Sequence, residues 1–157
     1  MKVLVIIGSV RFADRYAWRR AEDTITEEIE QYQPDWCASG GAEGIDSLFK
    51  VIAARWGYSG LLRLLPPNWE GPLPSLSSEA LSSKPFIEYL PREDILSIPA
   101  GKARWNAPGG YKERNIQVAT AGTRVVAIRC HASLTYGSGW TVSYAERAGK
   151  DVRRVIL

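Results

Sequence analysis

A three-layer α/β sandwich, built on a mostly parallel sheet of about five strands, is the fold class this sequence predicts. Three observations carry that reading. Short apolar, β-branched runs alternate with helical patterns along the chain. The first run is apolar throughout, as a strand covered on both faces must be. Glycine-rich turns follow several of the runs, as expected of parallel βαβ units with right-handed crossovers. A length of 157 residues suits one domain spanning 1–157, with a sizeable core.

The elements follow in order. "VLVII" (3–7) reads as a central strand ending at Gly8. Residues 16–32 place Ala17, Ala21, Ile25, Ile29 and Tyr32 at helical spacing, and Pro34 stops that helix. "DWCAS" (35–39) is a short second strand. Ile45, Leu48, Phe49, Ile52, Ala53 and Trp56 mark a second amphipathic helix, terminated at Gly57. "LLRLL" (61–65) is a third strand, closed by Pro66 and Pro67. Segment 66–109 then breaks the rhythm, holding all but one of the nine prolines. It is read as an irregular insert or lid, within which "FIEYL" is a strand or a helical turn. Alternation resumes with a helix at 111–122, a strand at 124–129, a helix at 141–149 and a closing strand "VRRVIL".

Bulk composition excludes several classes. With 20 basic and 17 acidic residues the net charge is +3, too mild to imply a nucleic-acid or membrane surface by itself. The arginines at 11, 15, 19 and 20 nevertheless form a local basic cluster. The apolar stretch at the amino end is too short for a signal-peptide core or a membrane span, so a cytoplasmic protein is expected. Cys37 and Cys130 fall in or beside predicted strands and read as free core thiols. No metal site and no cofactor are expected: His131 is the sole histidine, and no Cys/His cluster has zinc spacing.

Three loops rich in small residues are expected at the carboxyl edge of the sheet: "GSVRFAD" (8–14), "SGGAEGID" (39–46) and "LTYGSGWT" (134–141). With the first strand central, the strand at 124–129 lies beside it. The chain then reverses across the sheet, opening a crevice at the switch point. Glycine lets backbone approach a ligand closely, and helix N-termini offer unpaired N–H groups to an anion. Turn chemistry alone explains any one such loop; three on one rim point to an anionic, nucleotide-like ligand. Neither the P-loop pattern nor the strict G-x-G-x-x-G fingerprint is present.

"GSVRFAD", "SGGAEGID", "KERN" (112–115) and "GSGWTVSYAERAGKDV" (137–152) together resemble the YspA-like branch of the SLOG superfamily. Its relatives include the Lonely Guy phosphoribohydrolases and the DprA DNA-processing proteins; nucleoside deoxyribosyltransferases are similar in fold. The resemblance covers 1–65 and 110–157, and the insert matches only around Trp69. It implies a Rossmann-like fold and a nucleotide-derived ligand. Gly8, Ser9 and Arg11 fall in the first motif, Gly40, Gly41 and Gly44 in the second, and Arg114 with Asn115 at the third helix. Gly137, Ser138, Gly139 and Thr141 fall in the last. All of these are expected to bind ligand, each with a structural alternative as turn, cap or salt-bridge residue. The Lonely Guy signature ends in a glutamate that serves N-glycosidic cleavage; here Tyr144 stands in its place. Asp46 and, second, Glu43 are the carboxylates expected to catalyse any such step, with Asp14, Glu113 and Glu146 weaker candidates. Trp69, Trp105, Tyr136 and Trp140 are candidates for stacking on a base. The expected partner is a nucleotide or nucleotide-derived small molecule. Single-stranded nucleic acid and a second copy of the chain are the other candidates, and no membrane is expected.

Overall fold

The computed structural model describes residues 1–64, 84–89, 111–130 and 136–157. Six strands, all parallel, form one sheet in the order β3-β4-β2-β1-β5-β6. They are β1 (Val3–Gly8), β2 (Trp36–Ser39), β3 (Gly60–Leu64), β4 (Pro85–Tyr89), β5 (Arg124–Arg129) and β6 (Asp151–Ile156). Four helices accompany them: α1 (Arg15–Tyr32), α2 (Ile45–Arg55), α3 (Tyr111–Ala121) and α4 (Tyr136–Arg147).

Alternation of side chains along β1 builds the three layers. Leu4 and Ile6 pack with Ala21, Ile25, Ile29, Phe49 and Ile52 of α1 and α2. Val5 and Ile7 point the other way, into a cluster with Val118 and Ala119 of α3 and Val142 and Ala145 of α4. Neighbouring strands repeat the division: Cys37 and Phe86 join the first cluster, Ala38 and Ile87 the second. Both cysteines are buried free thiols, and burial pushes the Cys37 thiol well above its usual range.

Helix ends follow local chemistry. Asp14 caps α1, its carboxylate accepting from the Ala17 N–H at 2.7 Å. Gln33 ends that helix in a left-handed conformation, φ 48°, immediately before Pro34. At the amino end of the sheet, buried Glu28 accepts from Arg124 Nε (2.7 Å) and Nη2 (3.1 Å) and from Arg153 Nη1 (2.6 Å). That cluster fastens α1 to β5 and β6.

Two features differ from the expected layout. Pro85–Tyr89, which holds most of "FIEYL", is a strand, and it enters between β2 and β3, leaving β3 at the sheet edge. The insert thus supplies a structural strand; its remaining positions, where a lid was expected, lie outside the described residues. The last helix also begins at Tyr136, earlier than expected. Gly137, Ser138 and Gly139 therefore belong to its first turn and not to a loop. Poor helix formers are tolerated there because the following turns bury Val142 and Ala145.

Candidate functional site

The switch point expected from the element order is present. β1 pairs with β2 on one side and with β5 on the other, so the loops after β1 and β2 leave the same carboxyl edge. They touch. The Ile45 N–H donates to Ser9 O at 3.0 Å, joining the start of α2 to the end of β1.

Gly44 allows that approach. Its φ of +76° and ψ of −121° suit glycine alone, and a Cβ there would stand 2.2 Å from Ser9 O. Ser9 is fully buried; its N–H donates to Ile128 O, and its hydroxyl oxygen accepts from the Cys130 N–H at 3.0 Å. Ser9 thereby ties the end of β1 to the end of β5. Gly8 lies against Ile128 O, 2.1 Å from where a Cβ would be.

Asp46, in the first turn of α2, is the hub of the rim. Its Oδ2 accepts from the N–H groups of Gly40 (3.1 Å) and Ala42 (3.3 Å), and Gly8 adds a further backbone hydrogen bond. Burial pushes its carboxyl up to about 6, against the opposing pull of those backbone hydrogen bonds and of the Arg114 guanidinium. Arg114, at the third helix, reaches across to donate from Nη1 to Gly40 O at 2.5 Å and from Nε to Asn115 Oδ1 at 2.8 Å. Gly40 is therefore enclosed between a guanidinium and a carboxylate; a Cβ there would lie 2.7 Å from Arg114 Nη1 and 3.1 Å from Asp46 Oδ2.

The ionisation of Asp46 predicts a pH effect. Its carboxyl moves from 3.8 to about 6 on folding, so its contribution to stability is complete below 3.8 and is lost as pH rises through 6. A shift of this size corresponds to ~3 kcal/mol. In Asp46→Asn this pH-dependent part should vanish, which urea unfolding at pH 4, 5 and 7 measures against the unaltered chain.

Glu88 was missed by sequence reading. Register places it opposite Ser39 at the end of β4, and its side chain lies under 4 Å from where a Gly41 Cβ would stand. It is buried and pairs with Lys50 of α2 at 2.8 Å. No local signal marks it; only the strand pairing brings it to the rim.

The expected residues therefore divide. Gly8, Ser9, Gly40, Gly44, Asp46, Arg114 and Asn115 form one connected group, with Gly41 beside Glu88. Arg11 and Glu43 are exposed on its margin. Ser138 and Gly139 instead line a cleft of about 90 Å³ with Arg129 and Arg154, over β5 and β6. Thr141 is buried, and Gly137 lies in the first turn of α4. Tyr144 stacks on Trp140 with centroids 5.5 Å apart, and Glu146 is held by Arg154. Trp69, Trp105 and His131 lie outside the described residues. A separate cavity of about 580 Å³ opens at the opposite, amino edge, between Trp56, Tyr58, Gln33 and Lys84, and includes no expected site residue. Among the described residues, no three His, Cys, Asp or Glu side chains gather as metal ligands, and no helix is long and apolar enough to cross a membrane.

No protein-family model matches the chain, and no curated protein matches it in sequence. Solved structures resemble it in fold. The structural-genomics target TM1055 is 16% identical with a TM-score of 0.54, over 97% of this chain and 72% of that one. The Moco carrier protein from Chlamydomonas reinhardtii matches in two structures. One is 16% identical, TM-score 0.52, over 98% of this chain and 75% of the carrier. The other is 12% identical, TM-score 0.51, over 99% and 77%. The likeness is one of fold, and that Rossmann-like fold is the one implied by the SLOG resemblance.

Proposed function

We propose that the carboxyl-edge crevice between β2, β1 and β5 binds a nucleotide or nucleotide-derived ligand. The observation that carries this reading is the meeting of the Gly40–Gly44 loop, the end of β1 and Arg114 around the buried Asp46 carboxyl. Such a rim combines close backbone, a helix N-terminus and a guanidinium, the elements that recognise phosphate beside a hydroxyl-bearing sugar. Arg11 on the margin adds a second cation, and Asp46 and Glu88 add acceptors for ribose hydroxyls. The fold is shared with a protein named for carrying the molybdenum cofactor. Asp46 is also the group we assign to any N-glycosidic step, since a carboxyl titrating near neutrality can both give and take a proton. Release of free base from a nucleoside monophosphate, lost in Asp46→Ala, is the measurement for that extension.

A thermal-shift screen of nucleotides, cyclic nucleotides and ADP-ribose derivatives tests the binding itself. Ligand at a hundred times its Kd stabilises by ~2.7 kcal/mol, which raises Tm by roughly 5–10 °C in a chain of this size. Arg114→Ala and Arg11→Ala should each reduce that rise. No shift with any member at millimolar concentration contradicts the proposal.

A further inference from the structure

α1 carries its charges against its own dipole. Arg15, Arg19 and Arg20 occupy its amino half, Asp23 its middle, and Glu27 and Glu30 its carboxyl half; inside the Asp14 cap, no acid stands in its first turn and no base in its last. Each end thus repels its charges, whereas α2 follows the favourable pattern, with Asp46 in its first turn and Arg55 in its last. All six of these α1 side chains are exposed. At about 100° per residue they fall within an arc of about 140°, opposite the buried Ala17, Ala21 and Ile25. Among the described residues none of the three arginines has an acid within ion-pair distance, Arg20 resting instead on the Tyr16 ring at 5.6 Å. Among the described residues, Glu27 accepts from Gln31 Nε2 at 3.1 Å and has Arg153 as its nearest cation, at 4.0 Å.

We propose that this face is a self-complementary interface on which a second copy of the chain docks antiparallel. Arg15 and Arg19 of one copy then meet Glu30 and Glu27 of the other, about a two-fold axis near Asp23. Antiparallel docking also sets the positive end of each helix dipole beside the negative end of its neighbour. A second copy accounts for both halves of the pattern. Single-stranded nucleic acid accounts for the basic half alone, and Asp23, about 6 Å along the axis from Arg19, would repel its phosphates within one Debye length. The helix is about 27 Å long, and one such face is smaller than the ~1,200–2,000 Å² of a stable interface. The association is accordingly weak and salt-sensitive.

Sedimentation velocity on the full chain and two charge-reversed variants tests this. The unaltered chain should dimerise reversibly at low salt and become monomeric at ~0.5 M salt. Arg15→Glu/Arg19→Glu and Glu27→Arg/Glu30→Arg should each be monomeric alone, yet form a heterodimer at least ~10-fold tighter than the parent when mixed. Combining all four substitutions should restore the homodimer, which separates lost pairing from a damaged fold. A parent that stays monomeric, a dimer indifferent to these reversals, or no heterodimer on mixing overturns the proposal. So does a monomer that binds a short single-stranded oligonucleotide through the same arginines.

Discussion

Glu28→Ala is expected to lower stability by about 3–5 kcal/mol, the effect of breaking a buried ion pair from one side. The carboxylate is 2% exposed and receives three guanidinium hydrogen bonds, from Arg124 and Arg153. Removing it leaves the Arg124 guanidinium, four-fifths shielded, with Asp151 as its remaining acid at 2.7 Å. A more exposed pair between α1 and α2 supplies the contrast: Glu22 and Arg55 meet at 2.9 Å, and Glu22→Ala should cost less than ~1 kcal/mol. Acid unfolding carries a second signature. Burial would raise the Glu28 carboxyl, but hydrogen bonds from Arg124 and then Arg153 outweigh it and hold the carboxyl below its ordinary 4.5. Its stabilisation is therefore present above pH 4.5 and lost as pH falls through the lowered value. In Glu28→Gln that acid-side loss should disappear.

The other large effect is expected at Gly44. Alanine there must adopt a backbone conformation reserved for glycine, and its Cβ would lie 2.2 Å from Ser9 O and 2.6 Å from Val10 O. Strain and overpacking together should cost about 3 kcal/mol or more, lowering Tm by roughly 6–12 °C. Because those atoms belong to the rim, the loss of stability should be accompanied by loss of the ligand-induced thermal shift. Gly139 is the control. It lies in α4, with no positive φ and nothing within 4 Å of a Cβ, so Gly139→Ala should stabilise by ~0.5–1 kcal/mol. Calorimetry on both variants checks the pair.

Where periodicity and burial coincide, the sequence was readable. β1 is apolar at every core position, so its central place and its pairing with the strand at 124–129 followed from element order. The Asp46 loop was readable too, because its glycines mark a close approach. The strand Pro85–Tyr89 was not settled, since prolines and serines surround it and five residues have no diagnostic period. Glu88 was hidden with it: its place beside Gly41 depends on strand pairing, not on neighbours in sequence. The link from Ser9 to β5 was hidden as well, since only the meeting of strand ends shows its hydroxyl oxygen accepting from the Cys130 N–H. Gly137–Gly139 looked like loop because glycine disfavours helix, whereas packing farther along α4 carries the helix through them.

Amide chemical-shift mapping by NMR examines the central claim most directly. Titration with a nucleotide that stabilises the chain should move amides at 8–11, 40–47 and 114–115 together, and leave those lining the Trp56–Tyr58 cavity at rest. Perturbations confined to that opposite cavity, or none at millimolar nucleotide, would contradict a ligand site at the β1 switch point.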